Sequence, residues 1–329
     1  MASLSSSSAS ASASASASAS TSASTSASAS ASSSMPSMCD FLNRLHASGN
    51  KSKIVVLDVD ETIGYFVELG IFCDALTRIA WNNDPRAQYA HFNQLMDAFP
   101  EFLRPNILEL LKFLKMKKNA QECAGVLVYT NNCGPRAWVE HITRYIESKL
   151  GEPLFDQIVA AFKVNGEIIE VGRTTNDKTY EDLMRCTKLP PNVEMCFLDD
   201  QMHSKMEHAK VYYINVKPYV HQLSVNTLID RFMKNPALRS TTAVNASDFR
   251  TRVTSFMQRF VCTPKNELEQ EVDAIITKKI MEHLKTFFLK KMKGIKKTNA
   301  SLKMKLKTTT KNKTLKHPKH PPPHTNKLN

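Results

Sequence analysis

Four short runs in this chain are apolar and β-branched almost without interruption: "KIVVLD" (53–58), "CAGVLVYT" (123–130), "VEMCFLD" (193–199) and "KVYYINV" (210–216). None alternates polar with apolar residues, so each reads as a strand buried on both faces. Helical patterns stand between them. "RPNILELLKFLKMKK" (104–118) repeats apolar residues at 107, 110, 111 and 114, the 3.6-residue period of an amphipathic helix. "GPRAWVEHITRYIESKL" (134–150) has Pro135 near its first turn and Trp138, Ile142 and Tyr145 on one face. "KTYEDLMRCT" (178–187) is a third, shorter helix. "QIVAAFKVNGEIIEV" (157–171) predicts a strand and then a hairpin at Asn165-Gly166, residue types that suit a type I′ turn. This alternation predicts an α/β fold, a Rossmann-like parallel sheet with helices on both faces. Ligands of such sheets bind beyond the carboxyl ends of the strands. Asp58, Thr130 and the pair Asp199-Asp200 each end a predicted strand, so they are expected around one crevice.

The rest of the 329 residues bounds the domain. Residues 2–34 are almost entirely Ser and Ala, with too little apolar surface to offset the entropy of ordering. Residues 1–37 are therefore expected to be a disordered low-complexity tail and 38–265 the folded domain. Within it, residues 64–103 are an aromatic-rich, partly helical segment expected to form a small cap. Its aromatic residues at 65, 66, 72 and 81 are expected to be buried there. Phe249, Val253, Phe256 and Phe260 recur at helical spacing as a packing face. Residues 266–329 are expected to be a helix followed by a Lys-rich disordered tail. From Lys278 to Asn329 there are 16 Lys and one acid, Glu282, a net charge of +15 against +13 for the whole chain. The basicity thus belongs to this end, which suits a solvated arm or a contact with nucleic acid or another polyanion.

No apolar run is long enough to span a bilayer. The start of the chain has no basic region followed by an apolar core, as a secretory signal would. It shares the Ser-rich, acid-free character of transit peptides, but no Arg precedes Arg44. The seven Cys are irregularly spaced with no C-x-x-C pair, which reads as free thiols of an intracellular protein in cytoplasm or nucleus.

The acids carry the chemistry. Asp58, Asp60, Asp199 and Asp200 repel one another unless a cation neutralises them, and carboxylates with a substrate phosphate suit Mg²⁺. One carboxylate can then attack phosphorus. A second, two residues on, can protonate the leaving oxygen and afterwards activate water. A hydroxyl and a lysine are wanted on the phosphoryl oxygens, and Thr130 and Lys178 are candidates.

These residues carry a resemblance. "DVDET" (58–62) resembles the D-x-D-x-T nucleophile motif of the haloacid dehalogenase (HAD) superfamily. "VLVYTN" (126–131), Lys178 in "NDKTYEDL" and "CFLDDQMH" (196–203) are similar to its second, third and fourth motifs. Within the superfamily the chain most resembles the RNA polymerase II C-terminal-domain phosphatases and the related NLI-interacting-factor domain, over roughly residues 52 to 235. "FLRPNILELLKFL" (102–114) stands in the expected order but with Asn106 where those proteins usually have Gly, and the 64–103 segment is longer than their usual flap. The resemblance implies a HAD-like phosphatase. Asp58 would be nucleophile and metal ligand, and Asp60 general acid/base with its backbone carbonyl on the metal. Thr62 would be a turn hydroxyl, and Thr130, Asn131 and Lys178 would hold the phosphoryl group. Asp200 would be the better metal ligand of its pair, with Asp199 orienting Lys178. His203 and Asn132, which flank the motifs, read as a surface His and a cap Asn. The implied activity is Mg²⁺-dependent hydrolysis of phosphoserine or phosphothreonine in proteins. The alternatives are a nucleic-acid-end or small-metabolite phosphatase with the same chemistry, and a binding module without turnover.

Overall fold

The computed structural model describes residues 38–47, 52–263 and 265–290. The low-complexity stretch 1–37 and the Lys-rich stretch beyond 290, both expected from the sequence to be disordered, lie outside the described residues. The fold is α/β. Five strands, β1 (Lys53–Leu57), β2 (Gly125–Tyr129), β3 (Gln157–Val159), β6 (Glu194–Asp199) and β7 (Val211–Asn215), form one parallel sheet in the order β3-β2-β1-β6-β7. Between β3 and β6 a two-stranded antiparallel hairpin, β4 (Lys163–Val164) and β5 (Glu167–Ile168), turns at Asn165 and Gly166. Their φ values are 50° and 88°, both left-handed, as a type I′ turn requires.

The strands are apolar throughout because both faces are covered. Val55 and Leu57 of β1 enter one core cluster together with Val126, Val128, Cys196 and Leu198. Their alternates Ile54 and Val56 enter the other, with Leu127, Tyr129, Met195 and Phe197. The first cluster is the larger. It takes in α2 (Val67–Ile79), α4 (Phe92–Ala98), α5 (Ile107–Asn119), α6 (Arg136–Leu150), α8 (Val225–Lys234), α10 (Ala246–Phe256) and α11 (Glu267–Leu289). The short α3 (Pro85–Ala90) joins α2 to α4, and α9 (Pro236–Arg239) joins α8 to α10. The opposite face is covered by α1 (Met38–Ala47), through Phe41 and Leu45, and by α7 (Tyr180–Thr187), through Leu183. Phe41 lies so close to β2 that a Cβ on Gly125 would stand 2.2 Å from its ring; only glycine fits there.

The segment 64–103 folds into α2, α3, α4 and a 3₁₀ turn at Pro100–Phe102. Tyr65, Phe66, Phe72 and Trp81 are all buried. Phe72 meets Phe99 and Phe232 edge-on, and Phe92 meets Trp138 of α6 the same way. These helices thicken one face of the domain, and none of their residues lines the acidic cleft described below.

Lys278 through Leu289, counted from sequence within the basic end, belong to α11. Ile280, Leu284 and Phe287 are buried in the main core. Lys53 Nζ donates to the carbonyls of Phe287 at 2.6 Å and Phe288 at 3.0 Å, so the first strand caps the last described helix. Among the described residues no helix is long and apolar enough to cross a membrane.

Candidate active site

In the strand order β3-β2-β1-β6-β7 the chain runs outward from β1 to β3, then crosses to the other side of β1. The switch point is therefore between β1 and β6. Crevices open at such points beyond the strand ends. Asp58 follows β1 directly, and Asp199 and Asp200 stand at the end of β6. Asp58 N donates to Leu198 O at 2.9 Å, which extends the β1–β6 ladder up to the crevice.

The turn after Asp58 is an unusual one. Glu61 has φ 59°, a left-handed conformation rare outside glycine and asparagine. Three sets of bonds hold it. Glu61 N donates to Gly64 O at 2.7 Å, and Glu61 O accepts from Tyr219 N at 2.7 Å. The buried Arg104 donates from Nε to Thr62 O and from Nη2 to Glu61 O, each at 2.6 Å, and from Nη2 to Lys217 O at 2.9 Å. Arg104 thus acts as a bolt through the loop. Thr62 closes it on the other side: its Oγ1 accepts from Asp200 N at 3.1 Å, which ties the β1 loop to the β6 end.

Lys178 lies at the centre. Its side chain is 2% exposed, and Nζ donates to Asp58 Oδ1 at 2.6 Å and to Asp199 Oδ2 at 2.7 Å. An ammonium has three N–H donors, so one remains. Burial opposes its charge, but Asp58 and Asp199 outweigh that and raise its pKa. Asp199 is tied further. Its Oδ1 accepts from Gln201 N at 2.9 Å and lies 3.4 Å from His203 Nε2. Burial would raise its pKa, yet His203 and Lys178 more than compensate and hold it below the usual range.

Asp58 is different. It is 6% exposed, and among the described residues its Oδ2 has only a long 3.4 Å contact from Thr62. Burial, with Asp199 and Asp60 beside it, pushes its pKa to about 7 against the pull of Lys178. Asp60 is also raised, by burial, against a 2.7 Å hydrogen bond from Asn132 Nδ2. Asp200 is raised by burial and by its neighbour Asp199. Four carboxylates thus face one ammonium, and each of the three not held low is uncomfortable as an anion.

Oxygens of Asp58, Asp199 and Asp200 lie within 4.8 Å of one another. A hard-oxygen cluster with excess negative charge is what a divalent cation of the Mg²⁺ type requires, so the donor set fits such an ion. Asp199 is the least available of the three, since Lys178, Gln201 and His203 already engage it. The carboxylate of Asp60 stands outside this group and is turned to Asn132.

Thr130 follows β2 directly and is buried, and its Oγ1 accepts from Asn132 N at 3.0 Å. Asn131 is exposed at the cleft, its Oδ1 accepting from Arg173 Nη2 at 2.8 Å. The cleft is lined by every site residue expected from sequence: Asp58, Asp60, Thr130, Asn131, Lys178, Asp199 and Asp200. It is also lined by two residues that sequence reading assigned to the surface or to a cap. His203 is half-buried against Asp199, and Asn132 holds Asp60 while its Oδ1 accepts from Gly134 N at 2.9 Å. Asn132 is thus a turn residue and a site residue at once.

Arg173 drew no expectation from sequence at all. It is 2% exposed and, among the described residues, pairs with no carboxylate. Its guanidinium stacks on Tyr129 and donates to Thr130 O, Ala160 O, Asn131 Oδ1, Asn176 O and Asp177 O. It therefore fastens the loop carrying Thr130 and Asn131 to the loop that delivers Lys178. The one sequence signal was an arginine five residues before Lys178 in a stretch otherwise short of basic residues. Compared with known proteins, the chain matches no family model, no curated protein and no solved structure, so what this site can do is read from its own residues.

Proposed function

We propose that this protein is a divalent-cation-dependent phosphomonoesterase that works through an aspartyl-phosphate on Asp58, acting on phosphoserine or phosphothreonine in proteins. The observation that carries the reading is the pairing of a buried, weakly engaged Asp58 oxygen with a buried lysine at a sheet switch point, and a second carboxyl two residues on. The resemblance to the HAD superfamily's four motifs supports it.

Asp58 Oδ2 attacks phosphorus while the bond to the leaving oxygen breaks. Asp60, whose burial favours the protonated form, gives its proton to that oxygen. It then takes a proton from water, whose oxygen attacks the phosphorus of the acyl phosphate. The bond to Asp58 breaks, and inorganic phosphate and the free carboxylate are restored. The remaining N–H of Lys178, with Thr130 and Asn131, holds the phosphoryl oxygens. Mg²⁺, held by Asp58 and Asp200 with the Asp60 main chain, would neutralise charge shared between carboxylates and phosphoryl group. Access suits a macromolecule, because the cleft is lined by strand ends and loops and not by the 64–103 helices.

Phosphate release from acetyl phosphate and from phosphoserine peptides tests this. Turnover should need Mg²⁺ and stop with chelator. Asp58→Asn should abolish it while circular dichroism stays unchanged, since removing one carboxylate relieves repulsion. Near-full activity in Asp58→Asn, or in excess chelator, would overturn the proposal. Stronger competition by a 3′-phosphorylated oligonucleotide than by phosphopeptide would move the substrate to nucleic acid.

A further inference from the structure

Arg104, the bolt of the turn at Glu61, belongs to a second group of charges, none of which lines the acidic cleft. Its guanidinium lies 5.3 Å from the centroid of the Tyr219 ring, and Lys265 Nζ lies 4.8 Å from the centroid of the same ring. Tyr219 is itself tied to the turn, since its N donates to Glu61 O. Two cations therefore share one aromatic ring. The anion beside them is Asp273 of α11, which is 1% exposed and pairs through Oδ2 with Lys265 Nζ. A capping box between Asn266 and Glu269 fixes the start of α11 directly after Lys265.

Asp273 also serves Arg104. Among the described residues Arg104 bonds only to main-chain carbonyls, and its buried Nη1 has no partner. Asp273 Oδ1, equally buried, has none among them either. Burial pulls the Arg104 pKa down to about 10, and Asp273 is the foremost charge acting against that. A buried cation with no anion near it is costly. Without Asp273, Arg104 and Lys265 would face each other across Tyr219 as uncompensated like charges. The turn is where the consequence falls. Glu61 holds a left-handed conformation that a residue with a side chain resists, and Arg104 clamps its carbonyl and that of Thr62. Asp60 precedes Glu61, and Thr62 Oγ1 accepts from Asp200 N. A displaced Arg104 would therefore shift Asp60 and Asp200 together.

We propose that Asp273 is a positioning residue of the candidate site: from α11 it holds Arg104 in place, and through Arg104 the turn that carries Asp60. α11 lies beyond residues 52–235, over which the chain resembles the phosphatases, so this hold comes from the chain's own last described helix. Its effect on turnover rests on the phosphatase reading above; the hold on the turn does not.

The experiment compares four full-length proteins: wild type, Asp273→Asn, the double variant Lys265→Met with Asp273→Asn, and Ile280→Val, a core substitution on the same helix. Amide hydrogen exchange is measured over residues 58–64, and kcat and KM are measured for a phosphoserine peptide with Mg²⁺. Asp273→Asn should speed exchange at Glu61, Ile63 and Gly64, whose N–H groups close the turn. Exchange should rise and kcat fall by roughly tenfold each, with KM within about twofold because Lys178, Thr130 and Asn131 sit on other loops. The double variant should show the same losses, since it too leaves Arg104 without its anion. It decides if Asp273→Asn fails to fold, because removing both partners of a buried pair is milder than removing one. Ile280→Val should lower Tm and leave exchange in the turn and kcat unchanged. Unchanged exchange in the Asp273 variants would overturn the proposal. So would recovery in the double variant, which would confine Asp273 to its pair with Lys265, or equal losses in Ile280→Val, which would mark a general loosening of α11. Faster exchange with kcat intact would overturn the positioning role. Faster exchange in a protein whose wild type turns nothing over would remove the phosphatase reading and leave the hold on the turn standing.

Discussion

Glu68 is a carboxyl with no place in the proposed chemistry, yet it is fully buried at the start of α2. Its Oε2 accepts from Leu223 N at 2.9 Å, while Oε1 has no partner among the described residues. Burial pushes its pKa to about 7, against that single bond. An exposed Glu titrates near 4.3, so the folded state holds the proton more tightly than the unfolded chain. This contribution is fully present below the unfolded pKa and is lost as pH rises through 7. Glu68→Gln should therefore raise Tm at pH 8 and change it little at pH 4. Thermal melts of both proteins across that range check it; parallel curves would show that Glu68 ionises freely. At the candidate site the residue scale also divides what sequence could reveal. Asp58, Asp60, Asp199 and Asp200 were legible because their type and position at strand ends are rare. Asn132 was not, because an Asn two residues past a strand is what any turn uses. Arg173 was not either, because its partners are mostly main-chain carbonyls, which leave no trace in residue type.

At the scale of elements, Asn106 explains a departure visible in the sequence. It precedes α5 with φ 61° and ψ 13°, in the left-handed region. Glycine adopts that conformation freely and Asn tolerates it, whereas other residues pay about 1–2 kcal/mol. Asn106→Gly should be near neutral, and Asn106→Val should destabilise by about that amount or more. Urea denaturation monitored by circular dichroism measures both; an unchanged midpoint for Asn106→Val would contradict the strain. The five sheet strands were readable because burial on both faces forces uninterrupted β-branched and apolar runs, and a period of two places their alternates in opposite cores. The 64–103 helices were readable as aromatic and helical. Their packing onto α6, α8 and α10 was not, since those partners lie far off in sequence and nothing local names them. α11 was legible as a helix, but its packing into the core was not: its lysines mark the exposed face and mask the buried stripe of Ile276, Ile280, Leu284 and Phe287.

The whole molecule joins a structured domain to a basic end. Since α11 packs into the core to Phe287, the basic segment that can be removed begins after it, at residue 291. Residues 291–329 contain 12 Lys and no Asp or Glu. Deleting them should leave acetyl phosphate turnover and Tm unchanged. It should also remove most binding to a labelled oligonucleotide at low salt, because lysine–phosphate contacts depend on counterion release. Deleting from 278 should instead collapse Tm, as it removes Ile280, Leu284 and Phe287. Equal oligonucleotide affinity with and without 291–329 would show that these lysines are not an electrostatic arm.

The most direct measurement is on the phosphoenzyme. Acetyl phosphate carries a leaving group that needs little help from an acid, so Asp60→Asn should still be phosphorylated, but it lacks the base that hydrolyses the product. Asp60→Asn, mixed with acetyl phosphate and Mg²⁺ and quenched in acid, should gain one phosphoryl group by intact mass. Peptide mapping should place it on Asp58, and hydroxylamine should remove it. Turnover by the wild-type protein with no phosphoryl group on Asp58 in Asp60→Asn, or with the group found on another residue, would contradict the mechanism.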